Sequence, residues 1–150
     1  MKNNKGFTLI IAITTTSLLL IVSFAVSNIA LKQLVLAHAA QESQFSFYNA
    51  DSGTECAIYW DLKNLYSAFD PYRTASDVTC NGQSVPQTRV IGATYATSTI
   101  TFNLTKGCVV VDVVKRMGVA TTTKIDSRGY NTCDVGASRK YERAVTISYD

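Results

Sequence analysis

The chain has few of the residues that most catalytic centres are built from. It contains a single histidine, His38, and its four cysteines lie far apart, with no Cys-x-x-Cys pair. That spacing argues against a zinc site. No Ser-His-Asp set can be assembled around one histidine placed in a helical stretch. No glycine-rich loop of the kind that cradles phosphate occurs. The chain is therefore read as non-enzymatic, with no catalytic, cofactor-binding or metal-binding residues. Proline is also scarce, two in all, and none precedes Pro71, so nothing of that kind interrupts a long early helix. Net charge is low: 14 basic residues against 11 acidic ones give +3, and two of the basic ones, Lys2 and Lys5, stand at the very start. Without them the chain is almost neutral, which is too little charge to imply nucleic acid or an anionic surface as partner.

Charge is missing altogether from residues 7–31. As a helix rising about 1.5 Å per residue, that run would be roughly 37 Å long, enough to cross a hydrocarbon core of about 30 Å. Lys2 and Lys5 just before it place the N-terminus on the cytoplasmic side. The run is too long for a secretory signal, and no small-x-small cleavage site follows it. It carries Thr14, Thr15, Thr16, Ser17, Ser23, Ser27 and Asn28, and such small and hydroxyl side chains are common where apolar helices pack on one another.

Helical spacing continues beyond this run. Leu31, Leu34, Val35, His38, Phe45, Tyr48, Ser52, Ile58 and Leu62 fall on one face, with Lys32, Gln33, Gln41 and Glu42 between them. Residues 32–65 are thus expected to form an amphipathic continuation of the same helix. Gly53 would weaken it by about 1 kcal/mol relative to alanine, and Asp70-Pro71 is a firm boundary. After Pro71 the period changes to two. Ile100, Phe102 and Leu104 alternate with polar residues, as do Val109, Val111 and Val113, then Val119, Thr121, Thr123 and Ile125, and finally Val145, Ile147 and Tyr149. Lys106-Gly107, Met117-Gly118, Arg128-Gly129 and Val135-Gly136 read as turns, with a hairpin turning at residues 115–118. The expected fold is α+β: a long N-terminal helix, membrane-spanning and then amphipathic, packed on a small antiparallel sheet that occupies residues 66–150.

The start of the chain, Lys5-Gly6-Phe7-Thr8-Leu9-Ile10, resembles the prepilin signal of type IV pilins and pseudopilins. Residues 45–62, FSFYNADSGTECAIYWDL, resemble a segment of minor pilin-like proteins. The likeness covers about 60 residues and is most specific at Gly6-Phe7. It implies a leader at residues 1–6, cleavage between Gly6 and Phe7, and N-methylation of Phe7. It also implies no cofactor and a set of partners: other pilin subunits, a prepilin peptidase, an assembly platform with its ATPase, and the membrane. Glycine before the cut site suits close approach of a peptidase to the backbone. Two positions depart from the pattern. The fifth residue after the cut, glutamate in major pilins, is Ile11 here, which favours a minor or tip subunit over a main building block. The twenty-second, proline in many pilins, is Asn28, so local melting of the helix is not implied.

Cys56, Cys80, Cys108 and Cys133, an even number beyond a membrane segment, read as two disulfides in an oxidising space. Of the three connectivities, nearest-neighbour pairing, Cys56–Cys80 with Cys108–Cys133, is favoured. His38 is expected on the helix surface or in subunit packing. Asp51, Glu55 and Asp61 are expected to be solvated. Arg139, Lys140 and Arg143, with help from Lys115-Arg116 and from Tyr130 and Tyr141, form the one basic concentration, a candidate interaction patch. A solvated face or a subunit contact is the stronger reading of it and nucleic acid the weaker. The function expected is that of a minor pilin or pseudopilin held as a single-pass protein in the bacterial cytoplasmic membrane, its C-terminal domain outside, then moved into a surface filament. The alternative is a membrane-anchored extracytoplasmic binding domain.

Overall fold

The computed structural model describes residues 5–63, 66–116, 118, 121–134 and 136–150. The chain divides into two compact units, Met1–Ala40 and Gln41–Asp150. Helix α1 spans Lys5–Ile58 and is followed by a π-helical turn, Tyr59–Lys63. The sequence reading carried the helix to residue 65; residues 64 and 65 lie outside the described part.

The first unit is the apolar half of α1. Its large side chains are largely exposed: Phe7, Leu20 and Phe24 at 70%, 71% and 72%. By length and composition this helix can cross a membrane. Its hydroxyl residues do not contradict that. The Thr15 hydroxyl donates to the Ile11 carbonyl at 2.9 Å, that of Thr16 to Ala12 at 2.9 Å, and that of Ser23 to Leu19 at 2.8 Å. Each polar group is satisfied by its own helix, so it can sit in an apolar medium at little cost.

The second unit is the end of α1 and the strands that follow it. Strands β1 (Val78–Cys80) and β2 (Gln83–Val85) form a two-stranded hairpin. Its turn, Asn81-Gly82, has both residues at positive φ, 49° and 71°, the conformation such two-residue turns require. Strands β3 (Thr88–Ile91), β4 (Tyr95–Asn103), β5 (Cys108–Arg116), β6 (Thr122–Tyr130) and β7 (Glu142–Tyr149) form one antiparallel sheet in sequential order. The fold is α+β, as the periodicities implied. The core lies on the inner face of the sheet and includes Ile100, Phe102, Val109, Val111, Val113 and Ile125, closed by Phe69, Val78 and Val85.

Two expectations need correcting. Arg128-Gly129 is not a turn; Gly129 pairs with Val109 inside the sheet. The hairpin expected to turn at residues 115–118 is the other: Lys115 and Arg116 are paired within β5, and β6 begins only at Thr122, so Thr121 precedes it; residues 117, 119 and 120 lie outside the described part.

The larger correction concerns which helix face is buried. Tyr48 and Leu62, assigned to the inward face by their apolar character, are each 63% exposed. The buried stripe is instead Glu42, Ser46, Asn49, Ala50, Gly53, Thr54 and Ala57, continued by Asp61. Its spacing is helical, but its residues are small or polar. The reason is steric. The sheet already offers β-branched bulk, so the helix side must be thin for the two backbones to approach. A Cβ on Gly53 would come 2.6 Å from Val109 Cγ2, and one on Gly129 would strike the Ser46 carbonyl and the Ala50 amide.

Candidate functional site

The inner sheet face changes character along the path of the helix. Where Gly129 and Val109 pair, the helix presents Ser46, Asn49 and Ala50. Where Ser127 and Val111 pair, it presents Ala50 and Gly53. Beyond lie Lys115 and Thr123, and β7 sets Tyr149 opposite Thr123.

Polar pins cross this seam at each level. The Asn49 amide spends both its N–H groups on backbone carbonyls, of Lys106 and Tyr130, each at 2.8 Å. The Ser127 hydroxyl donates to the Ala50 carbonyl at 2.6 Å, and the Ser46 hydroxyl lies 3.0 Å from the carbonyl of Tyr141. Glu42 takes Lys106 Nζ at 2.6 Å on one oxygen and the Asn131 amide at 3.0 Å on the other. Each pin satisfies a group that burial would otherwise leave stranded.

At the far end of the seam Asp61 accepts from Lys115 Nζ at 2.6 Å, from the Tyr149 hydroxyl at 2.7 Å and from the Ser67 hydroxyl. Burial pushes the Asp61 carboxyl upward, but these three donors outweigh it and hold its pKa below the ordinary value. Burial, then the Asp61 bond and charge, push the Tyr149 hydroxyl the other way, well above its usual range. Asp61 is thus not the solvated residue expected from sequence. Lys115 is buried against it and does not belong to the basic patch. The signal for Asp61 was present, since it follows Gly53 and Ala57 at helical spacing. Nothing local marked its partners.

The cysteines separate into two kinds. Cys56 and Cys80 are disulfide-bonded, with Cα atoms 5.8 Å apart, tying α1 to β1. The second expected pair is not joined in this structure: Cys108 and Cys133 are free thiols, Cys108 buried and Cys133 exposed. They are neighbours: burial, and then the adjoining Cys133 thiol, push the Cys108 pKa up to about 12.

Gly6 lies within α1, and Phe7 and Ile11 are exposed on it, at 70% and 45%. His38 is exposed on the same helix. Of the basic cluster, Arg139 and Lys140 are exposed on the segment before β7. Lys140 Nζ lies 4.2 Å from the centre of the Tyr130 ring, while Arg143 turns to α1, its Nε donating to the Ser43 hydroxyl at 2.8 Å. One member of the patch is therefore engaged in holding helix to sheet.

Comparison with family models, with curated proteins and with solved structures finds no match to this chain.

Proposed function

We propose that this chain is a minor type IV pilin or pseudopilin, a mechanical subunit of a bacterial surface or secretion filament rather than an enzyme. The observation that carries this reading is the contrast between the two halves of α1. Residues 41–58 are pinned to the sheet by Glu42, Ser46 and Asn49, whereas in the apolar half Leu9, Leu20, Phe24 and Leu34 are all above 60% exposed. Such a surface needs lipid or sister helices, and a filament subunit uses first one and then the other. The pinned seam suits a part that carries load, because tension on the helix passes into a sheet through bonds distributed along its length.

In this role Lys5-Gly6-Phe7 is the processing site, with Phe7 the new and methylated terminus. Its partners are a prepilin peptidase, an assembly platform with its ATPase, and other pilins. Ile11 supports a tip or minor position: a subunit without a carboxylate there cannot neutralise a neighbour's terminal amine in an apolar filament core. The domain lies outside the cytoplasmic membrane, where Cys56–Cys80 would persist.

Intact-mass measurement on protein from native membranes tests the reading. Loss of residues 1–6 with one added methyl group is expected, along with immunogold label at filament ends. A retained Met1 and no association with fibres would make it a plain anchored binding domain.

A further inference from the structure

A cleft of about 690 Å³ opens beside the end of the helix, lined by Trp60, Tyr66, Tyr72 and Arg73 with the hydroxyl residues Ser67, Thr74 and Ser76. Apart from Ser67, whose hydroxyl donates to Asp61, none of these lining residues has a role assigned above. Its wall is unusually well fixed for a loop. The Arg89 guanidinium, from β3, donates to the carbonyls of Ala68 at 2.8 Å, Asp70 at 2.9 Å and Arg73 at 2.7 Å. Gln87 adds a bond to the Ser76 carbonyl at 2.6 Å, and Phe69 plugs the loop into the core at 1% exposure. The Tyr72 amide donates to Asp70 Oδ1 at 2.9 Å, and the Trp60 indole N–H donates to the Thr79 carbonyl at 2.9 Å.

On this fixed frame the aromatic rings are left in the open. Tyr72 is 82% exposed and Tyr66 55%. They contribute little to the core, and exposed tyrosines on a fixed backbone are what binding surfaces use: large contact area at low entropic cost, with a hydroxyl at the tip. Arg73 stacks on the Tyr66 ring at 3.6 Å, and its one ion pair among the described residues, to Asp70, is long at 3.8 Å. That leaves most of its donors for a carboxylate, which a guanidinium can take in bidentate fashion.

We propose that this cleft binds a saccharide chain carrying carboxylate groups. A pyranose ring has an apolar C–H face to lie on Tyr72 and a rim of hydroxyls to meet Thr74 and Ser76, and a uronate supplies the anion for Arg73. Bases of single-stranded nucleic acid could also stack on such rings. However, among the described residues the cleft has one lining cation, with Asp70 beside it, not the track of cations that a phosphodiester backbone demands. That an extracellular polysaccharide would meet this cleft rests on the filament reading; the binding chemistry does not.

Trp60 is the one tryptophan of the chain, so its fluorescence reports the cleft directly. The full chain in detergent micelles would be titrated with an oligomannuronate, with a neutral cello-oligosaccharide and with oligo-dT. A saturable response to the oligomannuronate is expected, stronger than to the other two. Tyr72→Ala should weaken it about tenfold, Arg73→Gln should remove the preference over the neutral sugar, and Tyr48→Ala, an exposed ring outside the cleft, should change nothing. Absence of a saturable response, tighter binding of oligo-dT, or a Tyr72→Ala variant that binds as wild type would each overturn the proposal. These readouts are independent of cleavage at Gly6 and of filament assembly, so this proposal and the functional reading can fail separately.

Discussion

The Asp61 carboxylate and the Lys115 ammonium meet at 2.6 Å with their side chains 1% and 10% exposed, joining the end of the helix to the middle strand of the sheet. Tyr149, from the last strand, completes the contact. Removing one charge strands the other. Lys115→Met is expected to destabilise the domain by about 3–5 kcal/mol. The double variant Asp61→Leu with Lys115→Met should recover most of that loss, because no unpaired charge remains. Thermal melts of the full chain in detergent micelles would measure both. A double variant no more stable than Lys115→Met would show that the contact does more than neutralise a buried charge.

The same cluster sets a pH window. Asp61 has a folded pKa below its unfolded value, so its contribution is complete above about pH 3.9 and is lost as pH falls through the folded value. Asp126, held low first by its Thr146 hydrogen bond, adds to the same acid limb. Tyr149 has a raised pKa, so its contribution is complete below about pH 10 and is lost as pH rises beyond it. The buried Cys108 thiol, also pushed up, begins to lose its contribution above about pH 8.5, so stability should fall on the acid side and, first through Cys108 and then through Tyr149, on the alkaline side. In Tyr149→Phe the alkaline limb should shrink while the acid limb persists; an unchanged alkaline limb would assign it to another group.

Gly53 and Gly129 are where helix and sheet touch. Alanine at Gly53 would usually favour a helix, by about 1 kcal/mol. Here its Cβ would meet Ser127 Oγ, Val109 and Val111, so Gly53→Ala is expected to destabilise by about 1–3 kcal/mol. Gly129→Ala meets backbone, which cannot turn aside, and should cost more than Gly53→Ala. Chemical denaturation curves that showed Gly53→Ala stabilising would refute the close approach.

The two kinds of cysteine should differ in reactivity. Iodoacetamide at neutral pH is expected to label Cys133, which is exposed, and to spare Cys108, which is buried with its pKa pushed up to about 12. A mild disulfide oxidant should join the two neighbours, with loss of two hydrogen atoms, and so complete the nearest-neighbour pattern that Cys56–Cys80 begins. Peptide mapping reads both results, and equal labelling of the two thiols would contradict the burial. Replacing Cys56 and Cys80 by serine should cost about 3 kcal/mol.

Much of the fold was legible because it is local. An uncharged run, then helical spacing, then alternation after Pro71 are properties of neighbouring residues, and they set the order of helix and strands. The strands around Val109, Val111 and Val113 could be read off directly, although the turn that follows was placed too early, since Lys115 and Arg116 belong to β5. The inward helix face could not, although its residues were in plain view. Reading apolar residues as inward put Tyr48 and Leu62 inside, where the sheet in fact takes Ser46, Asn49 and Gly53.

What the amino-acid sequence determined by itself was the apolar helix, the change of period and the class of the fold, since each depends on interactions a few residues long. The tertiary structure alone decided that the thin, polar side of the helix faces the sheet. It also decided that Asp61 finds Tyr149 at a separation of 88 residues, that Gly129 lies within a strand, and that Arg89 holds an aromatic loop open. These depend on shape and on partners distant along the chain. Periodicity records polarity, but it does not record how closely two surfaces must fit.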